Sequence, residues 1–524
     1  MAFSRSGFGL LAAVALAAAL VRPAVAQQGN VEAAQGKYPP PVTMTSEQMH
    51  AHMMQELGIE AMQAGPSGNP TAPNHANYDE ALANPYPNLP KALVMKDGRK
   101  VTSAEMWWNE RRPQIEEMYE KYVYGFIPKN VPKVHWQVVA VDHENIGFTP
   151  VIAKEVIGHV DNSAYPLIRV NIRMMVVTPA NAKGPVPMLM MFGPSDFPAP
   201  NQPSRAEYKR INDALKALMV QQDPSLKKVF EEHPAWEPES RPPFHFPQLN
   251  ADGGLPNTWE LVGAGWGFTM IDTNSIQADN GAGLTEGIIG LTNHGQPRTP
   301  EQWGALRAWA WGASRGLDYL KTDPAVNGDE VGIEGVSRWG KAALITMAFD
   351  KRFRMVLVGS SGKGGATPLR RHFGEEVASL ASSGEFHWMA GNFLKYAATK
   401  AKFGSMNPGD IPVDSNELIA MCAPRLVFIS YGIPAKGDAQ WLDQRGSWMA
   451  TVDASKVWTL LGAKGLSPAP TQNYKTAPMP PVNHGLLDGK LAWRQDDGGH
   501  TDAPNMIFFI HWADKWMGHT QQSK

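Results

Sequence analysis

Apolar residues in the middle of this chain fall into short runs of β-formers, separated by longer stretches with helical spacing. Runs at 134–141, 151–160, 167–177 and 186–192 each read as a strand, and Trp266-Gly-Phe-Thr-Met-Ile-Asp272 has the pattern of a buried one. Trp107, Ile115, Met118 and Tyr122 recur at helical spacing behind a capping Ser103, which predicts a helix over 103–124. A further helix is predicted near 46–62. Thr299-Pro-Glu-Gln302 supplies a cap, a proline at the first helical position and a glutamine at the third. A helix is therefore expected to open there, with Trp303, Leu306, Ala310, Leu317 and Leu320 on one face, and to stop at Asp323-Pro324. Strand and helix alternating at this spacing predict a mostly parallel sheet covered by helices, an α/β fold. Residues 197–258 break the alternation with many prolines and one helical stretch, 205–221, and read as a long loop insertion.

The first 26 residues have a different pattern. Arg5 precedes an apolar run over 9–20, and Ala24-Val-Ala26 gives the small-x-small cleavage signature of an export signal. That run is shorter than the ~20 residues that span a bilayer. A periplasmic or secreted protein is expected, with no membrane association after cleavage. Residues 27–83, rich in Gln, Pro, Asn and Ala, read as a partly irregular leader, and 84–524 as a single domain with the insertion near 197–258. Composition narrows the partners: 48 basic against 50 acidic side chains leave a net charge of −2, so no basic field exists to bind nucleic acid. Charged residues at 19% with Gly 49 and Pro 43 point to long ordered loops rather than disorder. Cys422 is the one cysteine, set in apolar Met421-Cys-Ala423, and reads as buried filler. No His/Asp/Glu cluster has ligand spacing, so neither a metal nor another cofactor is expected. A monomer is expected.

The sharpest local feature follows the 303–320 helix. Val331-Gly-Ile-Glu334 reads as a strand, Gly335-Val-Ser-Arg-Trp-Gly340 as a turn, and 341–349 as a buried helix. Strand, tight turn and helix around a central Ser337 is the context of a nucleophile elbow, in which the hydroxyl stands at a helix N-terminus that favours developing negative charge. The second glycine, Gly340, stands one place later than in the general G-x-S-x-G pattern. A serine that merely caps the helix is the alternative. A serine nucleophile needs a base, and His500, in Gly498-Gly-His500 before a last helix, fits the final strand-to-helix loop. His511 inside that helix suits a packing role, and His484 is a weaker rival in a proline-rich loop.

At these residues the chain resembles the glucuronoyl esterases of carbohydrate esterase family fifteen. The likeness runs from Asn84-Pro-Tyr-Pro-Asn-Leu-Pro90 through the 101–112 and 122–125 segments. It continues in Trp303-Gly-Ala-Leu-Arg-Ala-Trp-Ala-Trp-Gly312, Leu317-Asp-Tyr-Leu320, Gly335-Val-Ser-Arg-Trp-Gly-Lys341 and Gly362-Lys-Gly-Gly365. Arg370-Arg-His-Phe-Gly-Glu375, His387-Trp388 and Gly498-Gly-His500 complete it. The resemblance implies an α/β-hydrolase, a three-layer sandwich with a mostly parallel sheet. It also implies cleavage of (4-O-methyl-)glucuronic acid esters, as in lignin–xylan cross-links, through an acyl-enzyme. Ser337 would be nucleophile, His500 base and Arg338 the oxyanion donor, with Lys341, Glu375 and Trp441 contacting the uronate ring.

The acid is less plain. One branch of the family carries a Glu after the strand that follows the nucleophile helix, where this chain has Ser360. Other bacterial members place the acid after the next strand, two residues before the ring-contacting Trp, where Ala439 stands here. Asp438, one residue earlier, is preferred as the acid, with Asp443 as the alternative; either could instead cap the helix starting near Leu442. Two other functions stay open. One is a carboxylesterase for another acyl group, such as acetyl, and the other a carbohydrate-binding homologue that has lost catalysis.

Overall fold

The computed structural model describes residues 37–69, 71–129, 131–193, 205–238, 254–470 and 472–519. The export signal expected at 1–26, and much of the 197–258 insertion, lie outside the described residues. Among the described residues no helix is long and apolar enough to cross a membrane.

A nine-stranded sheet organises the chain. Three strands form an antiparallel flank: β2 (Val134–Ile146), β3 (Thr149–Val160) and β4 (Asn171–Pro179). Beyond it β6 (Gly267–Ile271), β5 (Val186–Phe192), β7 (Val326–Val336), β8 (Met355–Gly359), β10 (Leu426–Tyr431) and β11 (Leu491–Gln495) run parallel, in that order. The parallel strands are near-continuous apolar runs because both faces are covered. In β8, Val356 and Val358 enter one core while Met355 and Leu357 enter the other. The first core is closed by α6 (Ala305–Leu320), α7 (Arg338–Phe349), α8 (Ser415–Met421) and α9 (Gln444–Leu460), the second by α5 (Asn257–Gly263) and α10 (Ala503–Met517). Each fully buried Val, Leu, Ile, Phe or Met side chain contributes about 1.5–3 kcal/mol. The result is the three-layer α/β-hydrolase sandwich that the resemblance implied.

Several elements differ from the sequence pattern. The helix predicted near 46–62 is α1 (Ser46–Leu57). Gly58 at φ 66 closes it, and β1 (Ile59–Met62) turns away to pair antiparallel with β9 (Ala398–Ala401). Met49 and Met53 of α1 are fully buried in the main core, so this part of the leader is built into the domain. The 103–124 helix is interrupted by π-helical turns, Trp107–Arg111 and Glu120–Tyr124, on either side of α2 (Arg112–Tyr119). Pro113 has no N–H to close the α ladder there. Thr299–Gln302 is a separate turn rather than the start of α6. Backbone bonds from Phe126 N to Glu301 O (2.8 Å) and from Gly304 N to Tyr124 O (2.9 Å) take up that segment, and the helix begins at Ala305. The helix predicted over 205–221 is α3 (Arg205–Gln222), followed by α4 (Leu226–Glu232).

Candidate active site

Ser337 stands between the end of β7 and the first turn of α7 with φ 62 and ψ −127, a conformation that costs a non-glycine residue about 1–3 kcal/mol. Its own N–H is fixed to Gly359 O at 2.9 Å, across the end of β8. The displaced glycine of the motif has a steric cause. Gly340 crosses the same strand end so closely that a Cβ there would lie 2.6 Å from Gly359 O and 2.9 Å from Gly335 O. The tight spot lies one residue later than the general motif places it, and Trp339 occupies the usual glycine position. Among the described residues the Ser337 hydroxyl has no hydrogen-bond partner, including His500. Such bonds are often long in unliganded hydrolases and tighten around substrate.

His500 is carried by the loop between β11 and α10. Gly432, just past β10, lets this loop approach: a Cβ on it would meet Gly499 O at 2.1 Å, and Ile433 N donates to Gly498 O at 2.9 Å. Asp496 braces the same loop by accepting from Gly498 N and Asn505 Nδ2, both at 2.7 Å. Burial pushes its carboxyl up to about 7 even against the Gly498 hydrogen bond.

That crossing brings His500 Nδ1 to 2.9 Å from Asp438 Oδ1. Asp438 is fully buried, and its Oδ2 accepts from Ser360 Oγ at 2.9 Å, Gly432 N at 3.0 Å and Gln444 Nε2 at 3.4 Å. A carboxylate held this way can accept only, so His500 donates from Nδ1 and Nε2 is left as the basic nitrogen. Ser360, where the resemblance implied an alternative place for the acid, is thus a hydrogen-bond donor to Asp438. Asp443 is elsewhere employed. Its oxygens take Arg371 Nε at 2.7 Å and Arg371 Nη2 at 3.1 Å, and Oδ1 caps α9 through Gly446 N at 2.8 Å. Of the rival histidines, His511 lies exposed on α10, lining a groove of about 390 Å³ with Phe508 and Trp512 rather than packing in the core. His484 is exposed and bonds the backbone at Val482.

Arg338 opens α7, where the first-turn N–H groups have no helical partner. Its guanidinium is held by Asp279 Oδ2 at 2.6 Å and lies 5.1 Å over the Trp388 ring. His387 Nε2 and Trp388 Nε1 converge on Asp279 Oδ1 at 2.9 and 2.6 Å. Burial works against this carboxylate's charge, but the hydrogen bonds from His387, Trp388 and Arg338 outweigh it and hold Asp279 well below the usual range. Lys341 is buried, donates from Nζ to Ser361 O at 2.7 Å, and pairs with Glu375 Oε2 at 3.5 Å. Glu375 in turn takes the Lys363 N–H at 2.9 Å and sits beside half-buried Trp441, whose carbonyl accepts from Glu375 N at 2.9 Å. The three expected ring contacts therefore adjoin one another.

Glu385 was missed from sequence. Its Oε2 is buried with no partner, and burial, reinforced by Glu375 and opposed by Lys341 and Arg338, pushes its carboxyl up to about 7. The signal was its place two residues before His387-Trp388, which carry part of the family resemblance. Among the described residues no three His, Cys, Asp or Glu side chains gather to hold a metal ion.

A parallel sheet covered on both faces, with a strained serine at a strand-to-helix elbow, defines an α/β-hydrolase. A family model described as fungal glucuronyl esterase matches residues 298–462, the stretch from before α6 to the end of α9. A solved CE15 glucuronoyl esterase from Teredinibacter turnerae is 36% identical, covering 90% of this chain and all of that one with a TM-score of 0.73. A carbohydrate esterase from an unknown prokaryotic organism is 28% identical across 85% of this chain and 93% of its own length. The 4-O-methyl-glucuronoyl methylesterase of Podospora anserina is 31% identical, over 30% of this chain and 33% of its own length. The chain belongs to carbohydrate esterase family 15, the glucuronoyl esterases, and is a carboxylic ester hydrolase.

Proposed function

We propose that this esterase cleaves esters of (4-O-methyl-)D-glucuronic acid, as in lignin–xylan cross-links, with Ser337, His500 and Asp438 as its catalytic residues. His500 Nε2 removes the proton as Ser337 Oγ attacks the uronoyl carbonyl, and the imidazolium is stabilised by Asp438. The oxyanion forms at the N-terminus of α7, against the Arg338 N–H and guanidinium. His500 then protonates the departing alcohol, and water, activated by the same histidine, releases glucuronate and regenerates Ser337. Lys341, Glu375 and Trp441 receive the sugar ring, with Glu385 beside them.

The observation that carries this reading is the 2.9 Å bond between His500 Nδ1 and a buried carboxylate that is itself fully hydrogen-bonded. A binding protein that had lost catalysis has no use for it, and the adjoining Lys341–Glu375–Trp441 group has no use in an acetyl esterase. Purified protein should release alcohol from a benzyl glucuronate ester and leave a simple acetyl ester largely intact, and Ser337→Ala should abolish the former. An enzyme that prefers the acetyl ester overturns the specificity. The N-terminal pattern supports a periplasmic or secreted protein, and a monomer is part of the same proposal. N-terminal sequencing of the mature protein should begin at Gln27, and light scattering should return the mass of one chain.

A further inference from the structure

Two carboxyl groups that this chemistry does not use stand close to it in the chain: Glu334, three residues before Ser337, and Asp502, two after His500. Glu334 lies in β7 between Met191 of β5 and Leu357 of β8, and Asp502 stands directly before α10 without a side-chain bond to its first turn. Both are buried, and they reach hydrogen-bonding contact with each other. Asp502 also packs over the end of β8, so closely that a Cβ on Gly359 would meet the Asp502 Cβ at 3.2 Å and Val336 Cγ2 at 2.9 Å. The contact thus joins the strand that bears the nucleophile to the loop that bears the base.

Hydrogen bonding around Asp502 fixes the protonation. Asn257 Nδ2 donates to Asp502 Oδ1 at 3.1 Å, while Oδ2 is buried with no N–H or O–H from any other side chain. Two ionised carboxylates cannot share a dry contact, but one proton between them turns repulsion into a hydrogen bond. A neutral Glu334 can then donate to Asp502. Asp502 is the charged group acting on Glu334, and Glu334 with neutral Asn257 the side chains acting on Asp502; among the described residues no cation compensates either.

We propose that Glu334 and Asp502 form a one-proton clamp that holds the His500 loop against the nucleophile strand, making Glu334 a positioning residue for the base. Burial, and then the charge of Asp502, push the Glu334 carboxyl well above its ordinary range. A group whose pKa is raised by folding keeps its proton at every pH below the raised value and loses it as pH rises through that value. The clamp is therefore closed while Glu334 holds that proton and opens as pH rises through its raised value, where two negative charges meet.

The inference rests on Ser337 and His500 being nucleophile and base, and its test has one arm independent of them. In Glu334→Gln the amide still donates to Asp502 but has no proton to lose. We expect kcat/KM at pH 7 within about threefold of the parent, and loss of the parent's alkaline fall in kcat. In Glu334→Ala, kcat should drop about tenfold with KM little changed. By infrared difference spectroscopy, without substrate, a protonated-carboxyl band should titrate away in the parent and be missing from Glu334→Gln. Should Glu334→Gln fold poorly, Asp502→Asn serves, since removing the charge that Glu334 would meet on ionising also eases the alkaline fall. Superimposable pH profiles for parent and folded variant overturn the clamp, even where melting temperatures differ. So does a parent spectrum without the titrating band. If the band behaves as described and no glucuronate ester is cleaved, the clamp stands and the assignment of function fails.

Discussion

Replacing Asp438 by Asn removes one charge and almost no volume from the site. Oδ2 of Asp438 takes the Gly432 N–H, a backbone donor that cannot turn away, together with the Ser360 hydroxyl. The new amide must present its oxygen to them, because a buried N–H left unpaired costs about 1–3 kcal/mol. Its NH2 group then faces His500 Nδ1, which must accept, and the imidazole proton moves to Nε2, the nitrogen that should receive the serine proton. The anion that would stabilise the imidazolium is lost as well. We expect kcat/KM for benzyl glucuronate to fall about 10³–10⁴-fold, equivalent to ~4–5.5 kcal/mol, while circular dichroism and melting temperature stay close to the parent. Asp443→Asn gives the opposite result. It leaves the buried Arg371 guanidinium without its main charge partner at 2.7 Å, at a cost of about 3–5 kcal/mol in stability, while the folded fraction keeps its turnover. The reasoning is refuted if Asp438→Asn keeps more than about a tenth of the parent activity, or if folded Asp443→Asn loses as much as Asp438→Asn.

Ser360→Gly, which suits the φ of 42 at that position, removes one donor to the acid while Gly432 and Gln444 remain. A bond to a charged group is worth about 1.5–3 kcal/mol, so kcat should fall about tenfold at constant KM, and steady-state kinetics check it. Lys341→Met leaves Glu375 without its 3.5 Å partner and the ring without a donor. KM for glucuronate esters should rise about tenfold, with any activity on acetyl esters untouched. Glu385, with its carboxyl up to about 7, gains charge as pH rises through that value and then repels an anionic product. Inhibition by free glucuronate should weaken from pH 6 to pH 8, and Glu385→Gln should flatten that dependence.

The strands and the elbow were legible because their signals are local. A buried parallel strand is a short apolar run, and the strand-turn-helix around Ser337 is contained within residues 331–349. The stop at Gly58 is also local, since a glycine after Leu57 fits a left-handed cap as well as a helix interior, and the helical spacing around it outweighed that cue. Thr299–Gln302 has a helix-start signature, yet its backbone is claimed by residues 124–126, which no window around it contains. The two aspartates show the same limit. What separates Asp438 from Asp443 is that Arg371, 72 residues earlier, neutralises the second and leaves the first to the histidine. Glu385 was hidden for a similar reason, as its environment is assembled from Arg338, Lys341 and Glu375 on other segments.

The leader's contacts bear on when the enzyme becomes competent. Asn77 and Ala83 bind the backbone at 372–374 directly beside Glu375: Gly374 N donates to Asn77 O at 2.9 Å, Asn77 Nδ2 to His372 O at 2.6 Å, and His372 N to Ala83 O at 2.8 Å. The partners Asn77 and His372 are 295 residues apart. Closing so long a loop is slow and comes late, after the local contacts of the sheet and its helices have formed. The backbone beside Glu375 is therefore braced in part by the leader, through contacts that close late. A chain with a finished sheet and a formed elbow still lacks this brace beside Glu375 until the leader has come back to it.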